Sequence, residues 1–333
     1  MRFFAVELLL LLSLSSVAIA AERLPGYGAD TSTFTVSGVS SGGYMAVQMH
    51  VAHSSRVTGV GALAAGPYYC AQGSLWTAMN PCMTPGAWTP LPRLEILKGH
   101  ADRFAAERRI DPTENLSKAR VWLFSGSQDR TVQPAVVQGL ARFYSLYKAS
   151  PVAVDKPAGH AMVTQDAGSA CGATEPPFIN DCDYDAAGEL LRHLLGTLAP
   201  PAAKPSGRLL AFDQRDFGKA KAISMADVGY VYVPRPCDRE RCRVHIVFHG
   251  CRQGIDAVGE RFVGDAVYNR RADTNRLIVL YPQVSARWAW WTFNPRGCWD
   301  WWGYTNASYA TKEGPQIRAV LGMVERLSAR RSP

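Results

Sequence analysis

A glycine-flanked serine near the start of the chain is the residue best suited to nucleophilic chemistry. Ser40 lies in the hexapeptide GVSSGG at positions 38–43, which matches the pattern Gly-x-Ser-x-Gly. The glycines allow a tight turn from strand to helix that exposes the serine hydroxyl for attack on an ester carbonyl. Because the same pattern also occurs in ordinary turns, further residues must support the assignment.

An acidic partner for this serine is expected in a loop after a later strand. Asp129 follows the apolar run 121–124 through a Ser-Gly-Ser-Gln loop, which suits the carboxylate that orients a catalytic histidine. A turn-capping role is the alternative interpretation of this aspartate. Asp166 and Asp181 are rivals, but neither directly follows an apolar strand.

His160 is the histidine best placed to act as the base. It lies in the flexible turn 157–160 (PAGH), after the predicted strand 152–155, and completes the order serine, aspartate, histidine. A base in such a turn can reach both the serine and the carboxylate. Other histidines suit packing or surface positions: His50, His53 and His193 in helical patterns, His100 at the end of a polar helix and His245 in a strand.

The segment 244–251 (VHIVFHGC) indicates a second group of site residues. Its apolar run predicts a buried strand that ends in His249-Gly250. A His-Gly pair of this kind supplies one backbone N–H of an oxyanion hole, and Ser41, next to the nucleophile, supplies the other. In most hydrolases with this signature the His-Gly strand precedes the serine, whereas here it follows about 200 residues later. Reading the chain from residue 208 to its end and then from residue 33 restores the usual order, so the sequence predicts a circular permutation.

The elements that must position these residues alternate along the chain. Strands are predicted at 33–37, 57–65, 120–125, 152–155, 208–212, 229–233, 244–248 and 277–281, and helices at 44–53, 134–147, 184–198 and 316–327. Such alternation predicts an α/β fold with a mostly parallel central sheet flanked by helices. The Pro- and Ala-rich segment 199–207 links the halves 30–198 and 208–330, which the permutation joins in a single domain.

The first residues predict export. Residues 1–20 combine Arg2, an apolar run at 3–12 and small residues before a cleavage site, as in a signal peptide, so the mature chain is expected to span 21–333. A membrane anchor is the alternative, but the run is short for a bilayer span, and no later stretch is long enough, so stable membrane insertion is not expected. The net charge of +8 is spread without a basic run and gives no support for a nucleic-acid partner.

Eight cysteines in an exported chain are best explained as disulfides. Sequential pairing is the simplest hypothesis among many connectivities: Cys70 with Cys82, Cys171 with Cys182, Cys237 with Cys242, and Cys251 with Cys298. A zinc site is the alternative, and it lacks the C-x-x-C or H-x-x-x-H ligand spacing.

Dispersed segments of nearly the whole predicted mature chain resemble the circularly permuted poly(3-hydroxybutyrate) depolymerases of bacteria and fungi. That family belongs to the α/β-hydrolase superfamily and is related to polyhydroxyalkanoate depolymerases and feruloyl esterases. The matching segments are SGVSSGGYM at 37–45, AGPY at 65–68, GSQDRTV at 126–132, CDYD at 182–185, LIVLYPQ at 277–283 and GCWDW at 297–301. The resemblance implies a circularly permuted α/β-hydrolase fold.

The resemblance also assigns the site. It implies a catalytic triad of Ser40, Asp129 and His160, and an oxyanion hole built from the backbone amides of Ser41 and Cys251. A disulfide from Cys251 to Cys298 would then tie the oxyanion loop to a tryptophan-rich loop. The family further suggests a single-domain enzyme that adsorbs to its polymer through exposed apolar residues.

Six tryptophans crowd into fifteen residues: Trp288, Trp290, Trp291, Trp299, Trp301 and Trp302. A packed loop is the simpler explanation for most of them, because aromatic side chains bury large apolar areas. A crevice for polyester chains is the alternative. In terms of the family, Trp299 and Trp302 are the expected substrate-binding residues.

These observations predict an exported serine esterase, secreted or periplasmic, that hydrolyses poly(3-hydroxybutyrate) or its oligomers through an acyl-enzyme intermediate. The chemistry needs no metal or organic cofactor, and a monomer is expected. A feruloyl or acetyl-xylan type carboxylesterase is the nearest alternative, because one fold serves many substrates. A catalytically silent polymer-binding protein is the alternative from another class, and the intact set of candidate residues disfavours it.

Overall fold

The structure, a computed structural model, describes residues 21–289 and 292–330. The predicted signal peptide, Trp290 and Trp291 lie outside the described residues. Within the described ranges, no helix is both long and apolar enough to cross a membrane.

Nine strands of the described chain form one sheet. They are β1 (Glu22–Arg23), β2 (Asp30–Val39), β3 (Val57–Leu63), β4 (Arg120–Gly126), β5 (Val152–Lys156), β9 (Arg208–Asp213), β10 (Val228–Val233), β11 (Arg243–Phe248) and β12 (Leu277–Tyr281). Their order across the sheet is β1-β9-β10-β12-β11-β2-β3-β4-β5. Only β10 runs antiparallel to its neighbours β9 and β12, so the sheet is mostly parallel, as predicted.

Short strands form two further, smaller sheets. These strands are β6 (Met162–Thr164), β7 (Ser169–Ala170), β8 (Ile179–Asp181), β13 (Arg287–Ala289) and β14 (Thr292–Asn294). The first three make a parallel sheet in the order β6-β8-β7, and β13 pairs with β14 as an antiparallel hairpin. Both small sheets belong to loops that lie beside the site described below.

The helices of the described residues are α1 (Ser41–Ala52), α2 (Leu75–Met79), α3 (Leu94–Ala106), α4 (Pro134–Ser145), α5 (Ala186–Leu195), α6 (Ile255–Val258), α7 (Arg261–Asp265), α8 (Tyr268–Thr274) and α9 (Pro315–Ser328). Short 3₁₀ helices lie at Thr113–Lys118, Arg215–Phe217, Ala220–Ile223 and Arg235–Asp238. Every residue of α1 is buried, because this helix packs on β2 and β3 beneath other elements. By contrast, α4, α5 and α9 bury one face each, as their sequence periodicity predicts.

The core is divided by the sheet. Alternate residues of β12 point to opposite faces, so Ile278 joins the core under α1, α4 and α9, whereas Val279 joins the core under α5 and α8. All five residues of β12 are buried, which explains its continuous apolar sequence. Helices therefore cover both faces of the sheet.

The two sequence halves share this sheet. Strand β11 lies beside β2, with Phe248 opposite Gly38, and β2 lies beside β3 and then β4 in parallel. The segment 199–207 crosses the surface of α8, where Ser206 donates a hydrogen bond to Asp273. The carboxyl ends of β2, β4 and β11 consequently meet at one edge, where the candidate serine, aspartate and His-Gly pair follow them.

Four disulfides join the cysteines in sequence order. They are Cys70–Cys82, Cys171–Cys182, Cys237–Cys242 and Cys251–Cys298. The last closes the longest loop, with a sequence separation of 47 residues, and links the segment after β11 to the tryptophan-rich loop.

Candidate active site

Ser40 occupies the sharp turn between β2 and α1. Its φ of 57° lies in the left-handed region, and its backbone N–H donates to Leu63 O of the neighbouring strand. Glycines are required on either side, because a Cβ on Gly38 would lie 2.3 Å from Gly42 O and a Cβ on Gly42 would lie 2.2 Å from Phe248 O. The strained geometry predicted from the Gly-x-Ser-x-Gly spacing is present at this turn.

The first amides of α1 face the same turn. Ser41 is the first residue of the helix, and its N–H has no acceptor one turn earlier within the helix. The Ser41 side chain points the other way and accepts a hydrogen bond from Trp299 N. The backbone N–H is therefore available to an anion, and the helix dipole favours negative charge there.

Asp129 is held in the loop after β4 by its own backbone. Its Oδ1 accepts hydrogen bonds from the N–H groups of Thr131 and Val132, both at 2.8 Å, and the side chain is almost fully buried. Its Oδ2 lies 2.7 Å from His160 Nδ1. Because the carboxylate only accepts, Nδ1–H of His160 donates, which leaves Nε2 free to take a proton.

His160 lies in a loop that approaches the aspartate loop closely. A Cβ on Gly126 would lie 2.3 Å from Ala158 O, and one on Gly159 would lie 2.2 Å from Ala173 O. The backbone N–H of His160 donates to Thr174 Oγ1, in the segment that follows Cys171 and its disulfide. Glycines and a nearby disulfide thus fix the position of the imidazole.

Ser40, His160 and Cys251 all line one cavity of about 300 Å³. The structure thus brings the predicted Ser40, Asp129 and His160 to one site. The rivals of Asp129 lie elsewhere: Asp166 forms an ion pair with Arg270, and Asp181 accepts a hydrogen bond from the nearby backbone of Asp183.

The loop after β11 presents its backbone to the serine. A Cβ on Gly250 would lie 3.4 Å from Ser40 Cβ, so the two turns are in direct contact. The N–H of Gly250 donates to Gln253 Oε1 at 2.7 Å, whereas the Cys251 N–H has no partner among the described residues. Of these two amides, that of Cys251 is therefore the one left unengaged, which is what the predicted oxyanion hole requires.

Gln253 is a site residue that sequence reasoning missed. It is buried, and its Nε2 donates to Phe178 O at 2.8 Å and Pro177 O at 3.2 Å, in the loop next to the His160 side of the cavity. One side chain thus connects the oxyanion loop to the segment at Phe178, which also lines the cavity. A lone glutamine in a loop has no sequence pattern that signals this role.

His249 has a structural role in the same loop. Its Nδ1–H donates to Gly250 O at 2.7 Å, and its Nε2 accepts from Val284 N–H at 3.2 Å, which fixes the neutral tautomer. Burial lowers the pKa of this imidazole to about 4. His249 is therefore a neutral brace that shapes the loop and is not a second base.

The tryptophan loop requires a correction. Trp302 lines the cavity as predicted, but Trp299 does not: it is completely buried and packs on Phe248 and His249. Trp301 lines the cavity instead and stacks on Tyr44, with ring centroids 4.0 Å apart. The reason is the tether at Trp299, whose backbone follows Cys298 and donates to Ser41 Oγ, so that its ring turns into the core.

The cavity is largely apolar and opens beside exposed apolar side chains. Its lining includes Leu75 and Met79 from α2 and Phe293 from the β13–β14 hairpin, all substantially exposed. Trp76 and Trp288, 62% and 77% exposed, extend the same elements outward. In the described part of the chain, no group of three or more His, Cys, Asp or Glu side chains is arranged to hold a metal ion.

Comparison with known proteins gives close relatives. No protein-family model matches the chain. It is 41% identical over 319 residues to a poly(3-hydroxybutyrate) depolymerase of Delftia acidovorans, covering 93% of this chain and 62% of the relative. It is 33% identical over 342 aligned positions to a polyhydroxybutyrate depolymerase of Talaromyces funiculosus, covering 98% of each. The chain thus spans less than two thirds of the first relative and nearly all of the second.

Solved structures agree with this likeness. A PHB depolymerase from Penicillium funiculosum matches with a TM-score of 0.84 and 31% identity, covering 92% of this chain and 98% of the other. A serine-to-alanine variant of a PHB depolymerase complexed with an R3HB trimer matches with the same values. These matches, with the mostly parallel sheet and its flanking helices, confirm the predicted α/β-hydrolase fold.

Proposed function

The chain belongs to the poly(3-hydroxybutyrate) depolymerase family, and from this premise we propose that it hydrolyses the ester bonds of poly(3-hydroxybutyrate) or its oligomers. One observation carries the proposal: the strained Ser40 lines one apolar cavity together with His160, which is paired with Asp129 behind it. Esterase chemistry through a serine nucleophile needs this arrangement and no cofactor.

Acylation begins at Ser40. His160 Nε2 takes the hydroxyl proton as Ser40 Oγ attacks the ester carbonyl carbon, and the carbonyl oxygen becomes an oxyanion. Asp129 stabilises the imidazolium through its 2.7 Å contact with Nδ1. The C–O bond to the alcohol then breaks, His160 returns its proton to that alcohol, and the acyl group stays on Ser40. Deacylation repeats these steps with water as the nucleophile, releasing the acid and restoring the serine.

The oxyanion is stabilised by the backbone amides of Ser41 and Cys251 in this proposal. The first is an N-terminal amide of α1, and the second lies on a loop fixed by Gln253 and by the Cys251–Cys298 disulfide. Donors held in place before the reaction cost little reorganisation as the charge develops.

The apolar surroundings favour an aliphatic polyester as the substrate. Leu75, Met79 and Phe293 border the cavity, and Trp76 and Trp288 extend the exposed apolar surface around it. Such a surface suits adsorption to an apolar solid, and Trp302 is proposed to contact the bound chain. The feruloyl and acetyl-xylan alternatives share the catalytic groups, but the named relatives favour the polyester.

The chain is proposed to act as one permuted domain, monomeric and exported. Because β11 pairs with β2, residues 21–330 share one sheet across the linker 199–207, which supports a single domain. The four disulfides fit an oxidising compartment, so the protein is proposed to be secreted or periplasmic after removal of residues 1–20. No nucleic-acid partner and no stable membrane insertion are proposed.

The decisive experiment measures 3-hydroxybutyrate released from the polymer by the purified protein. Ser40→Ala is the matched control, because it removes only an oxygen at the turn. A p-nitrophenyl butyrate assay run in parallel separates a general esterase from a depolymerase. Activity on the small ester without release from polymer or oligomer would contradict the proposed substrate, and inactivity on both would contradict the proposed reaction.

A further inference from the structure

The cavity carries an excess of positive charge that ester hydrolysis does not use. Its ionisable lining side chains are His160, Arg252 and Arg296, and no carboxylate lines it. Both arginines are exposed, and neither forms an ion pair with any described residue. Other arginines of the described residues also lack an ion pair; what distinguishes these two is that they line the cavity beside the serine.

The two arginines are held in a fixed relation. The backbone N–H of Arg252 donates to Arg296 O at 2.7 Å, and the disulfide from the neighbouring Cys251 to Cys298, two residues after Arg296, joins the same two segments. Asn294 adds a third link, since its side chain accepts from Cys298 N and donates to Cys298 O. Because the backbone of both segments is braced, binding of one anion by the two side chains would cost little backbone freedom.

Arg252 lies near the part of the cavity from which the leaving group of the reaction departs. Its guanidinium carbon lies 5.2 Å from the centre of the Phe178 ring. Phe178 O in turn accepts a hydrogen bond from Met162 N, two residues after the proposed base His160. Because the base must protonate the departing alcohol, the side of the cavity near His160 is the leaving-group side.

The chemistry of a polyester chain gives these cations one partner. The interior of poly(3-hydroxybutyrate) is neutral, but the chain ends in a carboxylate that is ionised at neutral pH. In every ester bond of such a chain, the alcohol part leads toward that free carboxyl end. When the cleaved bond is close to the carboxyl end, the terminal carboxylate therefore lies on the leaving-group side of the cavity, near Arg252.

We propose that Arg252 and Arg296 form a subsite for the terminal carboxylate of the substrate, so that the enzyme selects carboxylate-ended oligomers and cleaves close to the carboxyl end. This inference rests on the proposed esterase function and adds the substrate class. The carboxylate accepts charge-assisted hydrogen bonds from the guanidinium groups, which orient the chain with its leaving group toward His160. Each cleavage leaves the acyl fragment with a new carboxylate, which makes it the next substrate.

The test compares a trimer of 3-hydroxybutyrate as the free acid with its methyl ester, in which a neutral ester replaces the charged carboxylate, and it counts only cleavage of the internal ester bonds. We expect the ratio of kcat/KM, acid over ester, to be roughly 10 for the wild type, about the value of one good charge-assisted contact. In Arg252→Gln combined with Arg296→Gln, the ratio should approach 1. Because both substrates are measured on one preparation, the fraction of folded enzyme cancels from the ratio.

Two controls complete the test. Arg239→Gln removes one exposed cation before β11, at the end of that strand away from the site, and should leave the ratio unchanged. Salt provides a test without substitution: near 1 M ionic strength, where the Debye length is about 3 Å, the wild-type ratio should fall severalfold.

The failures of the two proposals are distinguishable. If the wild type hydrolyses both trimers equally, or if the double variant keeps the wild-type ratio, the carboxylate subsite is wrong while the esterase function stands. If the wild type hydrolyses neither trimer nor p-nitrophenyl butyrate, the esterase function itself is wrong. If the double glutamine variant is inactive on both trimers, Arg252→Lys combined with Arg296→Lys is measured in its place. Because lysine keeps the positive charge, the acid-over-ester ratio of kcat/KM must then stay above 1.

Discussion

The two walls of the cavity are built differently. The base wall, residues 126–132 and 157–162, holds Asp129 and His160 through backbone amides and the close approach of glycines. The oxyanion wall, residues 249–253 and 294–302, is held by buried polar side chains and a disulfide whose partners are distant in sequence. In the proposed mechanism the base wall therefore supplies reacting groups, whereas the oxyanion wall fixes the position of backbone donors.

This difference predicts two kinds of failure. A substitution that deletes a reacting group removes a chemical step, and the loss of rate is large. A substitution that loosens the oxyanion wall moves a backbone amide by a fraction of an ångström. The loss of rate is then smaller, and it lowers kcat and leaves KM nearly unchanged. The four predictions below test this contrast, beginning with the largest effect.

Ser40→Ala should abolish hydrolysis, with kcat lowered by about 10⁵-fold or more, because no other group can form the acyl-enzyme. Ser41→Ala should keep appreciable activity, since only its backbone N–H is proposed to act. Initial rates with p-nitrophenyl butyrate check both variants, and circular dichroism checks that each is folded. Reversed phenotypes for the two serines would mean that the nucleophile is misassigned.

Asp129→Asn and His160→Ala should each lower kcat by roughly 10³- to 10⁴-fold, because members of a triad act as a unit. Each change combined with Ser40→Ala should add little to the loss. Asp181→Asn is the matched control, since that aspartate only accepts a local backbone hydrogen bond. Near-normal turnover in Asp129→Asn would remove this residue from the triad.

Gln253→Leu should lower kcat by about 10-fold with little change in KM, because losing the brace moves the Cys251 amide without removing a reacting group. Gln214→Leu is the matched control. Gln214 is also buried and also bonds two carbonyls and one N–H, but its partners, Ala226 and Gln283, are not residues of the oxyanion loop. The control should lose stability in urea unfolding and keep kcat; equal losses of kcat would indicate a general packing effect.

Ser40 and the base wall were the parts of the site that could be predicted from the sequence. Ser40 is marked by glycines two residues away, and Asp129 comes directly after an apolar strand, so local spacing is enough to find them. Each of the eight predicted strands is present, with ends that differ by a few residues. The disulfides could also be predicted, because three of the four close short loops.

The oxyanion wall was harder to predict for a physical reason. Gln253 bonds Phe178, 75 residues away, and no local pattern encodes such a partner. The three tryptophans at 299–302 are alike in sequence, but the backbone tether at Trp299 turns that ring inward and leaves Trp301 and Trp302 on the cavity. The reversed direction of β10 likewise depends on a pairing with β9 that only the fold decides.

The smallest expected effect is a pH dependence of stability that comes from the oxyanion wall. Burial lowers the pKa of His249 to about 4, below the ordinary value of 6.5, because desolvation disfavours the charged imidazolium more than the bond to Gly250 O favours it. The unfolded chain therefore binds a proton more readily between these values. The contribution of His249 to the free energy of unfolding is complete above about pH 6.5 and is lost as the pH falls toward 4.

His249→Asn tests this assignment, because the asparagine amide can still donate to Gly250 O but does not titrate. Between pH 7 and pH 5, the wild type should lose about 2 kcal/mol more unfolding free energy than the variant, from a pKa difference of roughly 2.5. Urea unfolding at the two pH values gives both numbers. His245, whose pKa burial lowers to about 3, remains in both proteins and contributes equally to each, so it cancels from the comparison. If the variant lost as much stability as the wild type, His249 would not be a neutral brace. The proposed contrast between a reacting histidine in the base wall and a structural histidine in the oxyanion wall would then be wrong.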